Sequence, residues 1–319
     1  MVERPKKPTA LTTKSTPTQH VQVTTSHSNS RVNATLSTGE SLEILLYGAT
    51  IISWKDKEGK DRLWLSDAAK LDRSKPVRGG IPLVFPEQVF GKDDSHDPTS
   101  KLPQHGFARI SDWEYLGKTT SESGEDESVM LSFGLSPNNL SEEIRKFWPY
   151  SFVLIYSITF SQNKLTTNLL IRNDGQTAWD FKALMHTYFR VQDISGITLT
   201  GLESLSYIDK LATPVNTVTY SSGPVKVGSK TDRIYMVEND TNTSVQILEQ
   251  EEKKFEVSTD NMNEIVLWNP WSDGAASMDD FAPKDGYKEM VCVEAGSVKN
   301  WTELGSDETW EGSQVIYAL

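Results

Sequence analysis

The stretch "SLEILLYGATIISWKD", Ser41–Asp56, decides the fold class. Its residues alternate in polarity and are rich in Ile, Leu and Tyr. A period of two places successive side chains on opposite faces, which is the pattern of a half-buried strand. The stretch runs into "DKEGKD", a charged cluster around a glycine that reads as a turn.

The same grammar recurs outward from this point. "SVMLSFGLS", "SFVLIYSITFS", "KLTTNLLIRND", "GITLTGLES", "TSVQILEQ", "KKFEVST", "EIVLWNPW", "EMVCVEAG" and "GSQVIYAL" are short runs of β-branched and aromatic residues. "SESGEDES", "NDGQ", "SSGP", "VENDTN" and "SDGAA" separate them as turn clusters. "KTTSESGEDESV", Lys118–Val129, predicts a solvated hairpin tip. Helical pattern is scarce. "SPNNLSEEIRKFWP" predicts one short helix, with Ser141 as its N-cap and Pro149 near its end. No repeat period is visible. Many strands at regular spacing predict an all-β fold, a large antiparallel β-sandwich with few short helices.

Residues 1–28 differ from the rest. They are rich in Thr, Ser, Pro and Lys and lack apolar periodicity, so they cannot bury enough surface to offset ordering entropy. We read them as a disordered N-terminal arm, with the first strand starting after Gln19, and residues 29–319 as a single domain.

Composition narrows the partners. The 319 residues carry a net charge of −12 and no basic run longer than a pair. Nucleic-acid binding relies on clustered Lys and Arg, so it is not expected. No apolar run is long enough to span a membrane, and no secretory signal is visible. The single cysteine, Cys292, forbids an internal disulfide and fits a reducing, cytoplasmic setting. Its surroundings, "MVCVEAG", make it a small buried hydrophobe. The five histidines include no pair at metal-ligand spacing, so no metal site is expected.

Four polar clusters sit beside apolar strands: "KPVRGGIPLVFP", "LPQHGFARI", "FKALMHTYFRV" and "YKEMVCVEAGSV". Two glycines after Arg78 permit close backbone approach. "LPQHGFARI" crowds Gln104, His105 and Arg109 into six positions, either as an ordinary strand edge or as one wall of a site. His186 lies inside an apolar run and Glu294 follows one. Taken alone, each has a structural explanation as an interior histidine, an edge carboxylate or a surface arginine. Together they offer a proton donor, a proton acceptor and arginine forks suited to anions or sugar hydroxyls. "WNPW", Trp268–Trp271, is the best local candidate for stacking on a sugar ring.

"VRGGIPLVFP", "LPQHGFAR", "HTYF", "WNPW" and "VCVEAG", in this order, resemble the glucose-6-phosphate 1-epimerases of the aldose 1-epimerase, or galactose-mutarotase-like, superfamily. The resemblance covers roughly residues 30–319. It implies a supersandwich of antiparallel sheets with the site in a groove on one concave face. It implies His186 as general acid and Glu294 as general base, with Arg78, Gln104, His105, Arg109 and Asp209 lining the site of a small phosphosugar. Lys210 is a weaker candidate beside them. It also implies interconversion of α and β anomers without metal, nucleotide or redox cofactor, and we expect the chain to act as a monomer. On this reading Glu294 takes the C1 proton and His186 supplies the ring-oxygen proton, so His186 must be at least partly protonated near neutral pH.

Two departures from the family pattern stand out. Glu87 and Gln88 intervene in "FPEQVFG", predicting a bulge or longer loop beside the groove. Ala295 replaces a proline after Glu294, predicting a looser turn. Two other readings stay open: an epimerase of unphosphorylated hexoses, and a non-catalytic sugar-binding sandwich.

Overall fold

A computed structural model describes residues 21–87, 96, 99–121, 127–214, 217–237 and 244–319. Strands β1 (Gln22–Ser26), β2 (Arg31–Thr35), β3 (Ser41–Leu45) and β4 (Thr50–Lys55) form an antiparallel sheet in sequence order. Ser41–Asp56 is therefore two strands, broken at Leu46–Ala49, where Gly48 and Ala49 both have positive φ. β1 falls inside the stretch read as an arm. Its thirty-first-to-thirty-fifth neighbours pair with it along its whole length.

The remaining strands are β5 (Leu83–Val84), β6 (Glu114–Ser121), β7 (Ser128–Leu135), β8 (Phe152–Phe160), β9 (Lys164–Asn173), β10 (Trp179–Met185) and β11 (Tyr188–Arg190). They continue with β12 (Ile197–Thr200), β13 (Ser206–Asp209), β14 (Thr217–Tyr220), β15 (Thr231–Met236) and β16 (Ser244–Glu249). Last come β17 (Glu252–Asp260), β18 (Glu264–Asn269), β19 (Met290–Leu304) and β20 (Thr309–Ala318). They make two eight-stranded sheets. One runs β12-β16-β17-β20-β9-β8-β7-β6; the other runs β14-β13-β15-β18-β19-β10-β5, with β11 also paired to β19. Every strand pairing is antiparallel. The fold is the expected all-β sandwich.

β8 shows why these residues form this structure. Phe152, Leu154, Tyr156, Ile158 and Phe160 are buried, and the residues between them are half-exposed. That face packs in the main core with Phe181, Ala183 and Met185 of β10 and Val291, Val293 and Ala295 of β19. At about 25 cal/mol per Å2 of apolar surface, such burial is the main force joining the sheets.

Two short α-helices are present among the described residues. α1 (Glu142–Phe147) is the predicted helix, and Ser141 caps it by accepting a hydrogen bond from the Ile144 amide at 3.3 Å. Glu142 and Glu143 in its first turn and Arg145 and Lys146 in its last complement the helix dipole. α2 (Trp271–Ser277) corrects the reading of "SDGAA" as a turn. Asn269 starts it by accepting from the Trp271 amide at 2.9 Å.

Other expectations meet the structure as follows. β6 and β7 form the predicted hairpin, paired out to Ser121 and Ser128; its tip, residues 122–126, lies outside the described residues. No turn follows Glu294, because β19 continues through Ala295, which pairs with Ile265 and Met185. Glu87 is fully buried, while Gln88 lies outside the described residues.

Candidate active site

The central sheet turns one face to the core and the other to a cleft. Strand register aligns two rows across that second face. Ile208, Ile234, Val266 and Glu294 are successive register partners; so are Asp232, Trp268, Cys292 and Tyr188. A cleft of about 310 Å3 opens over these rows. It is lined by Arg78, Gln104, His105, Arg109, His186 and Glu294, joined by Lys210, Asp232, Val266, Trp268 and Met278. Six of the seven predicted site residues, 78 to 294 positions along the chain, are thus brought together.

Arg78 reaches the cleft because Gly79 and Gly80 let its segment press against neighbouring backbone. A Cβ on Gly80 would stand 2.1 Å from the Ile51 carbonyl oxygen, and its φ of +67° also favours glycine. Arg78 Nε donates to Asp280 at 3.2 Å and its Nη1 to the Tyr188 hydroxyl at 3.3 Å. Burial pulls its pKa down, but Tyr188 and Asp280 hold it above the ordinary arginine value.

"LPQHGFARI" is a wall, built by a turn and a 3-10 segment at Ala108–Ile110 rather than by a strand edge. His105 and Gly106 both have left-handed φ, +68° and +67°. A Cβ on Gly106 would lie 2.1 Å from the Phe85 carbonyl oxygen, which instead accepts from the Phe107 amide at 2.9 Å. Phe107 anchors the wall by packing its ring against Phe85, Trp148 and Phe152. Arg109 Nη2 donates to the Gln104 carbonyl at 2.8 Å. Burial and the nearby Arg78 charge lower the Arg109 pKa to about 10, so it remains a cation near neutral pH.

His186 lies between β10 and β11, its amide held by the Pro82 carbonyl at 2.9 Å. Its ring stacks on Tyr188 at 4.6 Å and 9°, and meets His105 and Trp268 edge-on at 6.1 and 5.8 Å. Nδ1 is buried and lies 3.4 Å from Glu294 Oε1. Burial, then the charges of His105, Arg78 and Arg109, push the His186 pKa well below that of a free imidazole. Burial, then Asp232, push the Glu294 pKa well above the carboxylate range, with Lys210 opposing. In the free cleft, burial thus works against the partly protonated His186 expected from the sequence. Both directions favour the uncharged forms, imidazole and carboxylic acid, chiefly because both groups are buried.

Asp209 is not brought in. It pairs in register with Arg233, accepts from the Leu211 amide at 2.9 Å, and lies beside Arg233 Nε at 3.9 Å. Arg233 covers the Tyr207 ring at 5.0 Å, and Tyr207 and Tyr235 pack into the main core. Alternation puts Asp209 on that core-side face, whereas Lys210 and Asp232 project to the cleft. Those two form an ion pair of 3.0 Å. Asp232 and Tyr188 were missed from sequence. For Asp232 the available signal was alternation along "TDRIYM", which places Asp232 with Ile234. Of "WNPW", Trp268 lines the cleft, while Trp271 packs against Tyr287.

In chemical terms, the cleft brings together an imidazole and a carboxyl group 3.4 Å apart, two guanidinium groups, and a Lys–Asp ion pair. Comparison with known proteins agrees in outline. Residues 32–317 match the family described as aldose 1-epimerase. A protein of Cenchrus ciliaris provisionally named glucose-6-phosphate 1-epimerase is 30% identical over 281 residues, covering 87% of this chain and 81% of that protein. A protein of Escherichia coli (strain K12) with the same provisional name is 33% identical over 250 residues, covering 78% and 77%. The crystal structure of a provisionally named mutarotase from Salmonella typhimurium superposes with a TM-score of 0.76 at 25% identity, covering 93% of each chain.

Proposed function

Since the chain belongs to the aldose 1-epimerase family and is an epimerase of that type, we propose that it interconverts the α and β anomers of hexose 6-phosphates, glucose 6-phosphate foremost. The working unit in this reading is the single domain 29–319 extended by β1, acting as a monomer. The observation that carries the proposal is the His186–Glu294 pair, 3.4 Å apart at the floor of a cleft rimmed by Arg78 and Arg109.

Mutarotation moves two protons at one carbon. The C1 hydroxyl loses a proton, the ring oxygen gains one, and the C1–O5 bond breaks. Rotation about C1–C2 turns the other carbonyl face to O5, and reclosure reverses both transfers. The two oxygens share C1, so acid and base must stand a few ångströms apart, as this pair does. General acid–base help of this kind contributes typically 10²–10⁴-fold to a rate.

The directions of the two pKa shifts give the phosphate a second role. Arg78 and Arg109 both disfavour charge on His186. A phosphate dianion between the two guanidiniums offsets that repulsion and favours imidazolium beside carboxylate. The single proton then passes from Glu294 to His186, which protonates O5 while Glu294 takes the C1 proton. On this account the 6-phosphate raises turnover as well as affinity. Gln104 and His105 hold sugar hydroxyls from the wall, the Lys210–Asp232 pair holds them from the sheet, and Trp268 offers an apolar face.

One observation favours the epimerase of unphosphorylated hexoses. Arg78 already has an internal partner in Asp280 at 3.2 Å. The discriminating assay adds pure α-anomer and couples β-anomer formation to a β-specific dehydrogenase. We expect glucose 6-phosphate to exceed glucose in both kcat and kcat/KM. Equal values for the two sugars would remove the phosphate claim.

A further inference from the structure

Beneath the His186–Glu294 pair lies a group that mutarotation does not use. Cys292 precedes Glu294 by two residues on β19, so both side chains leave the strand on the same face. The thiol is fully buried, opposite Trp268 on β18 and Tyr188 on β11. One donor atom from each of His186, Cys292 and Glu294 lies within 4.8 Å of the other two. His186, itself buried, makes no hydrogen bond through Nδ1 and turns that atom inward.

The spacing is close to that of a coordination shell. Zinc bonds of about 2.0–2.3 Å set tetrahedral ligand atoms roughly 3.5 Å apart. The histidine–carboxylate leg is already 3.4 Å. The longest leg needs to shorten by about 1 Å, within reach of small side-chain rotations.

The geometry points to a binding site for a thiophilic divalent cation of the zinc class, held by the His186 imidazole, the Cys292 thiolate and the Glu294 carboxylate. Thiolate with imidazole selects such an ion over magnesium or calcium, which take oxygen ligands. Three protein ligands leave a fourth position toward the cleft, which water can fill. Thiolate and carboxylate bring two negative charges to the ion's two positive ones, and the protons they held pass to solvent. Arg78 and Arg109 oppose the cation from the rim, and Asp232 and Asp280 offset them. Occupancy ties up both proton-transfer groups at once, so the ion inhibits anomer exchange. That consequence rests on the acid–base reading above, whereas the site itself does not.

Cobalt(II) added to chelator-treated, full-length protein provides an optical probe that needs no turnover. We expect one equivalent to produce a thiolate-to-cobalt charge-transfer band in the near ultraviolet and the visible bands of a four-coordinate ion. One equivalent of zinc should erase both. Cys292→Ser and Cys292→Ala should lose the near-ultraviolet band. They should bind zinc at least about 10-fold more weakly, since even outer-shell changes cost 10–100-fold. Both variants should keep metal-free anomer exchange and lose sensitivity to zinc. A wild-type protein without the near-ultraviolet band, or unchanged zinc affinity in both variants, overturns the site. Zinc bound through Cys292 with anomer exchange untouched leaves the site standing and overturns the inhibition, together with the acid–base roles.

Discussion

The two eight-stranded sheets use burial differently. Along β8, in the sheet away from the cleft, every second residue is buried and the rest are half-exposed. In the central sheet, all of Met290–Gly296 in β19 is buried, as is nearly all of β18. One face of these strands meets the core and the other meets the cleft. Doubly buried strands are ordinarily apolar throughout, because a polar group costs free energy there unless it is paired. Here the second face carries Glu294, with His186 and Asp232 beside it. The first sheet leaves its second face to solvent; the second carries polar groups into a cleft.

The sharpest break of that comparison is a paired substitution. His186→Asn and Glu294→Gln should each lower anomer exchange by about 10²–10⁴-fold with little change in secondary structure by circular dichroism. Leu154→Ala in the other sheet should do the reverse. It should cost about 2–5 kcal/mol of stability in denaturant titrations while the folded protein keeps its kcat. A next contrast lies within the cleft. Arg109→Ala should weaken glucose 6-phosphate by about 10–100-fold, because hydrogen bonds to charged groups are worth about 1.5–3 kcal/mol, and should leave free glucose nearly unaffected. Equal losses for both sugars would move Arg109 away from the phosphate.

Neighbouring strands allow a finer comparison. Asp232 faces the cleft and Asp209 faces the core side, though each pairs with a cation. Asp232→Asn should lower kcat/KM by about 5-fold, the value of roughly one hydrogen bond of 1 kcal/mol. Asp209→Asn should leave kcat/KM unchanged, and the order of the two effects is the test of strand parity.

The smallest expected effect concerns stability. The Glu294 pKa is raised by folding, so the native state binds this proton more tightly than the unfolded chain does. The group therefore favours folding below the ordinary carboxylate pKa of about 4.5, and that contribution is lost as pH rises toward the folded value. Glu294→Gln has no such loss. The Tm difference between Glu294→Gln and wild type should shift in the variant's favour as pH rises from about 4.5 toward the folded pKa, and level off above it. A margin independent of pH would contradict the assigned direction.

Much of this was legible in the sequence, for definable reasons. Alternation made β3, β4, β8 and β9 visible because each has one wet face. The Ser141 cap was visible because capping is local chemistry. β15 escaped notice because Asp232 and Arg233 interrupt "TDRIYM", and both are explained only by neighbours far along the chain. Asp209 came from resemblance alone, and the strand register turns it to the core side while its neighbour Lys210 lines the cleft. "SDGAA" has turn composition, yet Asn269 and the packing of Ala275 make it helical. The roles of His186 and Glu294 came from resemblance. Their 3.4 Å approach and opposed pKa shifts arise from tertiary packing that no local pattern encodes.

The most direct test follows anomer exchange of glucose 6-phosphate by NMR exchange spectroscopy at equal concentrations of wild-type, His186→Asn, Glu294→Gln and Asp209→Asn protein. The account predicts strong exchange cross-peaks for the wild type and Asp209→Asn, and the uncatalysed rate for the other two. Near-wild-type exchange in either His186→Asn or Glu294→Gln would contradict it.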